Sequence, residues 1–176
     1  MSTKPDVGYL EMGPELQALV EELSGPLRPP ASFVGWEPGP DEAQCSKMIL
    51  TSDSLSQIAQ IRRTLVNNYK SAILTEAGKL KPGISAISLD AFILRFPGDR
   101  WYMMDEYARV ESDCLLLIPL SIPDDAEAAV LGQKIDLQKG KSILTRASSK
   151  IWVGGPGGTL LTNPLVCLVF CLSGTY

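Results

Sequence analysis

The hydrophobic period of this chain changes once, near Ile84, and does not change back. Ahead of that point Leu55, Ile58, Ile61, Leu65, Tyr69, Ile73 and Leu74 recur at helical spacing. Ser54 and Gln57 read as a capping box and Gly78 as a stop, which predicts a helix over about residues 54–77. Arg62, Arg63, Asn67, Asn68 and Lys70 fall on its opposite side, so the helix is one-sided and suited to covering a sheet. From Ile84 onward the segments 84–96, 100–104, 114–122, 128–131, 134–137, 142–146, 150–153 and 165–172 read as strands. Turn residues such as Pro97-Gly98-Asp99, Pro123-Asp124-Asp125 and Lys139-Gly140 separate them. Short strands that follow helices, rather than alternate with them, argue against a parallel α/β sheet. They predict a mainly β, α+β fold: an antiparallel jelly roll or barrel with the long helix packed on one face.

Residues 1–13 read as an irregular leader. Leu16, Leu19, Val20 and Leu23, opened by Pro14, define a short helix. The proline- and glycine-rich stretch 25–40 reads as an extended connector, docked on the body by Phe33 and Trp36. The expected organisation is an N-terminal arm over residues 1–40 and a single β-rich domain over 41–176.

Composition limits function more sharply than fold. The chain has 176 residues, four cysteines, a net charge of −4 and no histidine. Without an imidazole there is no histidine-ligated metal and no histidine-activated nucleophile, and no cofactor is expected. The acidic balance gives no support to phosphate-backbone binding, so nucleic acid is not an expected partner. The opening residues Met1–Asp6 lack the apolar core of a secretion signal, and no apolar run reaches membrane-spanning length. The expected compartment is therefore intracellular and cytoplasmic. Cys45, Cys114, Cys167 and Cys171 lack metal-binding spacing and read as buried, reduced thiols. The cluster Gly154-Gly155-Pro156-Gly157-Gly158 lacks the lysine and following helix of a phosphate loop and reads as a wide turn.

The order of features from Leu89 to Leu172 resembles the double-stranded β-helix core of the Fe(II)/2-oxoglutarate dioxygenases. Phe92–Asp99 leading into Trp101–Glu106 is similar to that family's opening strand, Pro-Gly turn and first metal-ligand station. Leu137–Leu144 and Ile151–Gly158 are similar to its second half. The resemblance implies a jelly-roll barrel, iron held by two histidines and a carboxylate, and a basic anchor for the oxo-acid. This chain departs from that pattern. Met104, Asp105 and Glu106 supply a carboxylate but no histidine, Trp152 and Val153 occupy the distal station, and Asn163 and Leu165 stand near the anchor. The resemblance thus implies the barrel without its iron chemistry.

Trp101, Tyr102, Met103, Met104, Tyr107 and Trp152 are the candidate lining of an apolar pocket at the barrel mouth, fit for a small apolar ligand. Asp105 or Glu106 is the candidate acid or base; being adjacent, they face opposite ways on a strand and do not form a pair. Acidic residues between Asp99 and Glu127 precede a basic stretch of Lys134, Lys139, Lys141, Arg146 and Lys150. Two such blocks can orient copies of the chain or steer a protein partner. The leading expectation is a non-catalytic β-domain acting by binding or self-assembly, as a homo-oligomer or with a protein partner. The alternative is a metal-independent small-molecule-binding enzyme or pseudo-enzyme on a dioxygenase-like barrel.

Overall fold

The computed structural model describes residues 5–25, 36–37, 46–48, 50–98, 100–104, 113–130 and 133–174. The expectations placed on Phe33, Cys45, Asp105, Glu106 and Tyr107 lie outside the described residues. The elements run β1 (Val7–Glu11), α1 (Pro14–Ser24), β2 (Trp36–Glu37), β3 (Ser46–Met48), α2 (Ser52–Thr64), α3 (Lys70–Leu80) and β4 (Ile84–Gly98). They continue β5 (Arg100–Met103), β6 (Cys114–Ser121), β7 (Glu127–Val130), β8 (Gln133–Ile135), β9 (Lys141–Arg146), β10 (Lys150–Gly154) and β11 (Leu160–Gly174).

The strands form two antiparallel sheets, a large one in the order β1-β9-β6-β11-β4-β3-β2 and a small one in the order β5-β10-β7-β8. From β4 onward the chain passes back and forth between the two, which winds it into a double-stranded β-helix. Side-chain alternation then builds two cores. Ile93, Leu116, Ile118, Leu168 and Phe170 of the large sheet meet Leu16, Ile61, Leu65, Ile73 and Ala77 of the helices. Phe92, Leu117, Ile143, Cys167 and Val169 turn the other way, against Tyr102, Val130, Ile151 and Val153 of the small sheet. The expected fold class, a β barrel with helices on one face, is the observed one.

Several local elements depart from the sequence pattern. Val7–Glu11 is not a leader: it is the edge strand of the large sheet, in register from Val7↔Thr145 to Glu11↔Lys141. Its partner lies far along the chain, so no local pattern could announce it. Arg146 holds this edge, donating from Nη1 to Asp6 Oδ1 at 3.0 Å and from Nε to the Leu80 carbonyl at 2.9 Å. Trp36, expected in an irregular connector, is part of the short strand β2, paired to Met48.

The long helix is also differently built. Thr51, not Ser54, is its cap, with Oγ1 accepting the Ser54 N–H at 3.2 Å. Helix runs through Gly78 to Leu80, and a π turn over Leu65–Tyr69 joins α2 to α3. Leu55, counted in the apolar stripe, is 53% exposed because the first turn of α2 overhangs the core. The π turn sets Tyr69 Oη 2.7 Å from the Gly13 N–H, which donates to it. Gly13 caps α1 and has no side-chain oxygen of its own; a Cβ there would stand 2.8 Å from Tyr69 Oη. Tyr69 thus meets one of the backbone groups left open at the start of α1.

Candidate functional site

The sequence-level site residues gather where β5 and β10 lie side by side at the edge of the small sheet. Their register pairs Trp101 with Trp152, Tyr102 with Ile151, and Met103 with Lys150. Strand alternation then divides the expected lining in two. Tyr102 and Met104 point between the sheets and are fully buried, whereas Trp101 and Met103 point outward and are 48% and 42% exposed. Trp152 lies on the outer face with Trp101 and is half-buried. The described members of the expected lining thus fall on two faces, because consecutive residues of one strand cannot share one.

The inward pair is structural. Tyr102 Oη accepts the Gly98 N–H at 3.0 Å, and its ring meets Phe96 edge-on with centroids 5.1 Å apart and planes at 85°. Gly98 sits at φ +100° in the turn into β5, a conformation suited to glycine, and a Cβ there would press on Leu161 Cγ at 3.1 Å. Met104 N–H donates to the Ser149 carbonyl at 3.4 Å and so closes the end of β5 onto the start of β10. Tyr102, Met104, Ile151 and Val153, with Phe96, Leu115, Val130 and Val169 around them, fill the space between the sheets. Leu165, near the expected anchor position, is apolar and buried in the same layer, and Asn163 is exposed. Arg100 was not singled out from sequence, yet it shares the inward side of β5 with Tyr102 and has a buried Nε.

Two depressions formed by described residues lie away from the Trp101–Trp152 pair. One of about 130 Å³ lies between α1, the end of β6 and the Lys139-Gly140 turn. The other, of about 460 Å³, is lined by Asp124, Asp125, Glu127, Lys134 and Asp136 at the rim of the small sheet.

The basic block dissolves in three dimensions. Lys139 pairs with Glu21 at 2.5 Å, Lys141 with Asp136 at 3.1 Å, and Arg146 with Asp6 at 3.0 Å. Lys134 and Lys150 make no ion pair among the described residues, and both lie on the outer face of the small sheet. Strand folding interleaves the charges that sequence order keeps apart. Burial pushes the Cys114 thiol up to about 11, helped by neighbouring Asp113, and pushes Cys167 up to about 12. Both are protonated and inert at neutral pH.

No family model and no curated protein matches the chain. Solved structures do match. A 2OG-Fe(II) oxygenase family oxidoreductase from Burkholderia pseudomallei is 14% identical over 96% of this chain and 84% of its own, with a TM-score of 0.57. A Pseudomonas putida prolyl-4-hydroxylase is 11% identical, covering 97% and 93%, with a TM-score of 0.54. EctD from S. alaskensis, solved with 2-oxoglutarate and 5-hydroxyectoine, is 13% identical, covering 97% and 73%, with a TM-score of 0.54. The chain therefore has the double-stranded β-helix fold of the 2OG-Fe(II) oxygenases.

These structural neighbours are enzymes, among them an oxygenase-family oxidoreductase, a hydroxylase and an epimerase. That overturns the expectation of a non-catalytic domain acting by binding or self-assembly; the architecture is one on which enzymes are built. The iron of that fold nevertheless does not fit this chain. There is no histidine to supply its nitrogen ligands. Among the described residues no group of three or more Cys, Asp or Glu side chains is placed to hold a metal, and apolar side chains fill the adjoining interior. No helix among the described residues is long and apolar enough to cross a membrane.

Proposed function

We propose that this protein is a metal-independent enzyme or pseudo-enzyme that binds a small organic molecule at the β5–β10 corner of a dioxygenase-like barrel. The observation that carries the reading is the cross-strand pair Trp101↔Trp152, whose exposed surface lies on the strand that leads into Asp105 and Glu106. An exposed indole paired across strands with a half-buried one offers amphipathic contact area that a small molecule can cover. The two tryptophans supply the contact area, and Tyr102 and Met104 hold the strand from behind. Asp105 or Glu106 serves as the acid or base, a role that needs no imidazole.

The test is thermal unfolding of the chelator-treated full chain in the presence of a panel of small organic molecules. The reading expects compounds that raise the melting temperature without added metal, with the effect lost in Trp152→Ala and kept in the Asp105→Asn and Glu106→Gln variants, which lose only turnover. Stabilisation that appears solely when Fe(II) is supplied would refute it.

A further inference from the structure

The outer face of the small sheet carries chemistry that names a ligand class. Register places Trp101, Trp152, Ala129 and Lys134 in one row across the four strands. Lys150 is two residues before Trp152 on the same strand and face, opposite Met103. Directly opposed side chains on a sheet stand about 5 Å apart, and those two apart along a strand about 7 Å. The register thus sets the exposed Trp101 and the half-buried Trp152 side by side on the outer face, with Lys150 on that face next to them and Lys134 about 10 Å from Trp152 across two strands. Between Trp152 and Lys134 along the row stands only the small side chain of Ala129, among the described residues.

Two further facts give this arrangement direction. Lys134 and Lys150 are exposed and make no ion pair among the described residues, unlike Lys139, Lys141 and Arg146. Glu127 lies on the same outer face two residues from Ala129 on β7, and Asp136 lies just past the end of β8, two residues after Lys134. An anion on the platform is accordingly drawn to the Lys150 side, away from the two carboxylates.

From this juxtaposition we infer that the platform binds a planar aromatic or heteroaromatic ring carrying one anionic group, phosphate or carboxylate, with the ring on Trp101 and Trp152 and the anion at Lys150. The inference rests on the small-molecule reading above and specifies its ligand. Stacking on aromatic side chains tolerates many rings, whereas the lysine selects for charge.

The experiment uses the full chain labelled with 5-fluorotryptophan, whose resonances are assigned through Trp101→Phe and Trp152→Phe. The probes are AMP, adenosine and ribose 5-phosphate: ring with anion, ring alone and anion alone. Titration with AMP is expected to shift the Trp101 and Trp152 resonances, and adenosine to do so about threefold to fivefold more weakly at low salt, the margin an exposed ion pair supplies. Ribose 5-phosphate is expected to leave both unmoved. The margin should vanish near 0.5 M salt, as screening requires, and in Lys150→Gln, an exposed change that spares the core. Equal binding of AMP and adenosine would overturn the anion and leave the platform standing. Binding of ribose 5-phosphate alone would overturn the ring. Silence from all three would remove the platform and the small-molecule reading with it.

Discussion

The two sheets of this barrel handle their faces differently. In the large sheet, β6 is buried along all but its last residue and β11 along its whole central run, because helices cover one face and the small sheet the other. In the small sheet, β5 and β7 alternate between buried and open positions, since nothing among the described residues lies on its outer face. A strand buried on both sides reads as an unbroken apolar run and contributes stability; one buried on a single side leaves every second residue free to contact something else. The proposed ligand surface uses such open positions of the small sheet, where the outward Trp101 stands.

That contrast can be broken by mutation. Phe170→Ala, in the middle of the large sheet and fully buried, should lower the unfolding free energy by about 3–5 kcal/mol. Trp101→Ala, 48% exposed, should change it by no more than about 1 kcal/mol. Urea unfolding of both variants measures the difference, and comparable losses would mean that the small sheet's outer face is core after all. Tyr102→Phe sharpens the inward half of the site: it strips the partner from the buried Gly98 N–H and should cost about 1–3 kcal/mol. A smaller effect works in the other direction. Thr145 Oγ1 is fully buried with no hydrogen-bond partner among the described residues, so Thr145→Val should raise stability by about 1 kcal/mol.

A further effect is confined to alkaline pH. Cys114 and Cys167 have folded-state pKa values raised from 9.0 to about 11 and about 12. The folded chain keeps protons that the unfolded chain releases, so these thiols leave stability unchanged below 9 and reduce it as pH climbs from 9 towards 11 and 12. Equilibrium unfolding across that window, in wild type and in Cys167→Ser, measures the slope, which should be shallower in the variant.

Much of the barrel was legible because its strands carry their own signals: the apolar run Leu165–Leu172, the alternation of β5, and glycine at the Gly98 and Gly140 turns. What was not legible depended on partners far away in sequence. β1 becomes a strand only beside β9, and the π turn becomes useful only when Tyr69 meets Gly13. The site was half legible. Residues 101–104 and Trp152 were singled out by type, and the register brings Trp101 and Trp152 together. Their division between two faces followed from alternation along a single strand, yet a pocket drawn from composition overlooked it. The basic block misled for the opposite reason, since order along the chain says nothing of which carboxylates the folded strands bring near.

The central claim is that this fold is used here without the iron centre found elsewhere on it. Metal analysis of the purified native protein, run beside an assay for Fe(II)-dependent consumption of 2-oxoglutarate, tests it most directly. The account predicts substoichiometric iron and no consumption of the oxo-acid. One iron per chain with turnover of 2-oxoglutarate would contradict it.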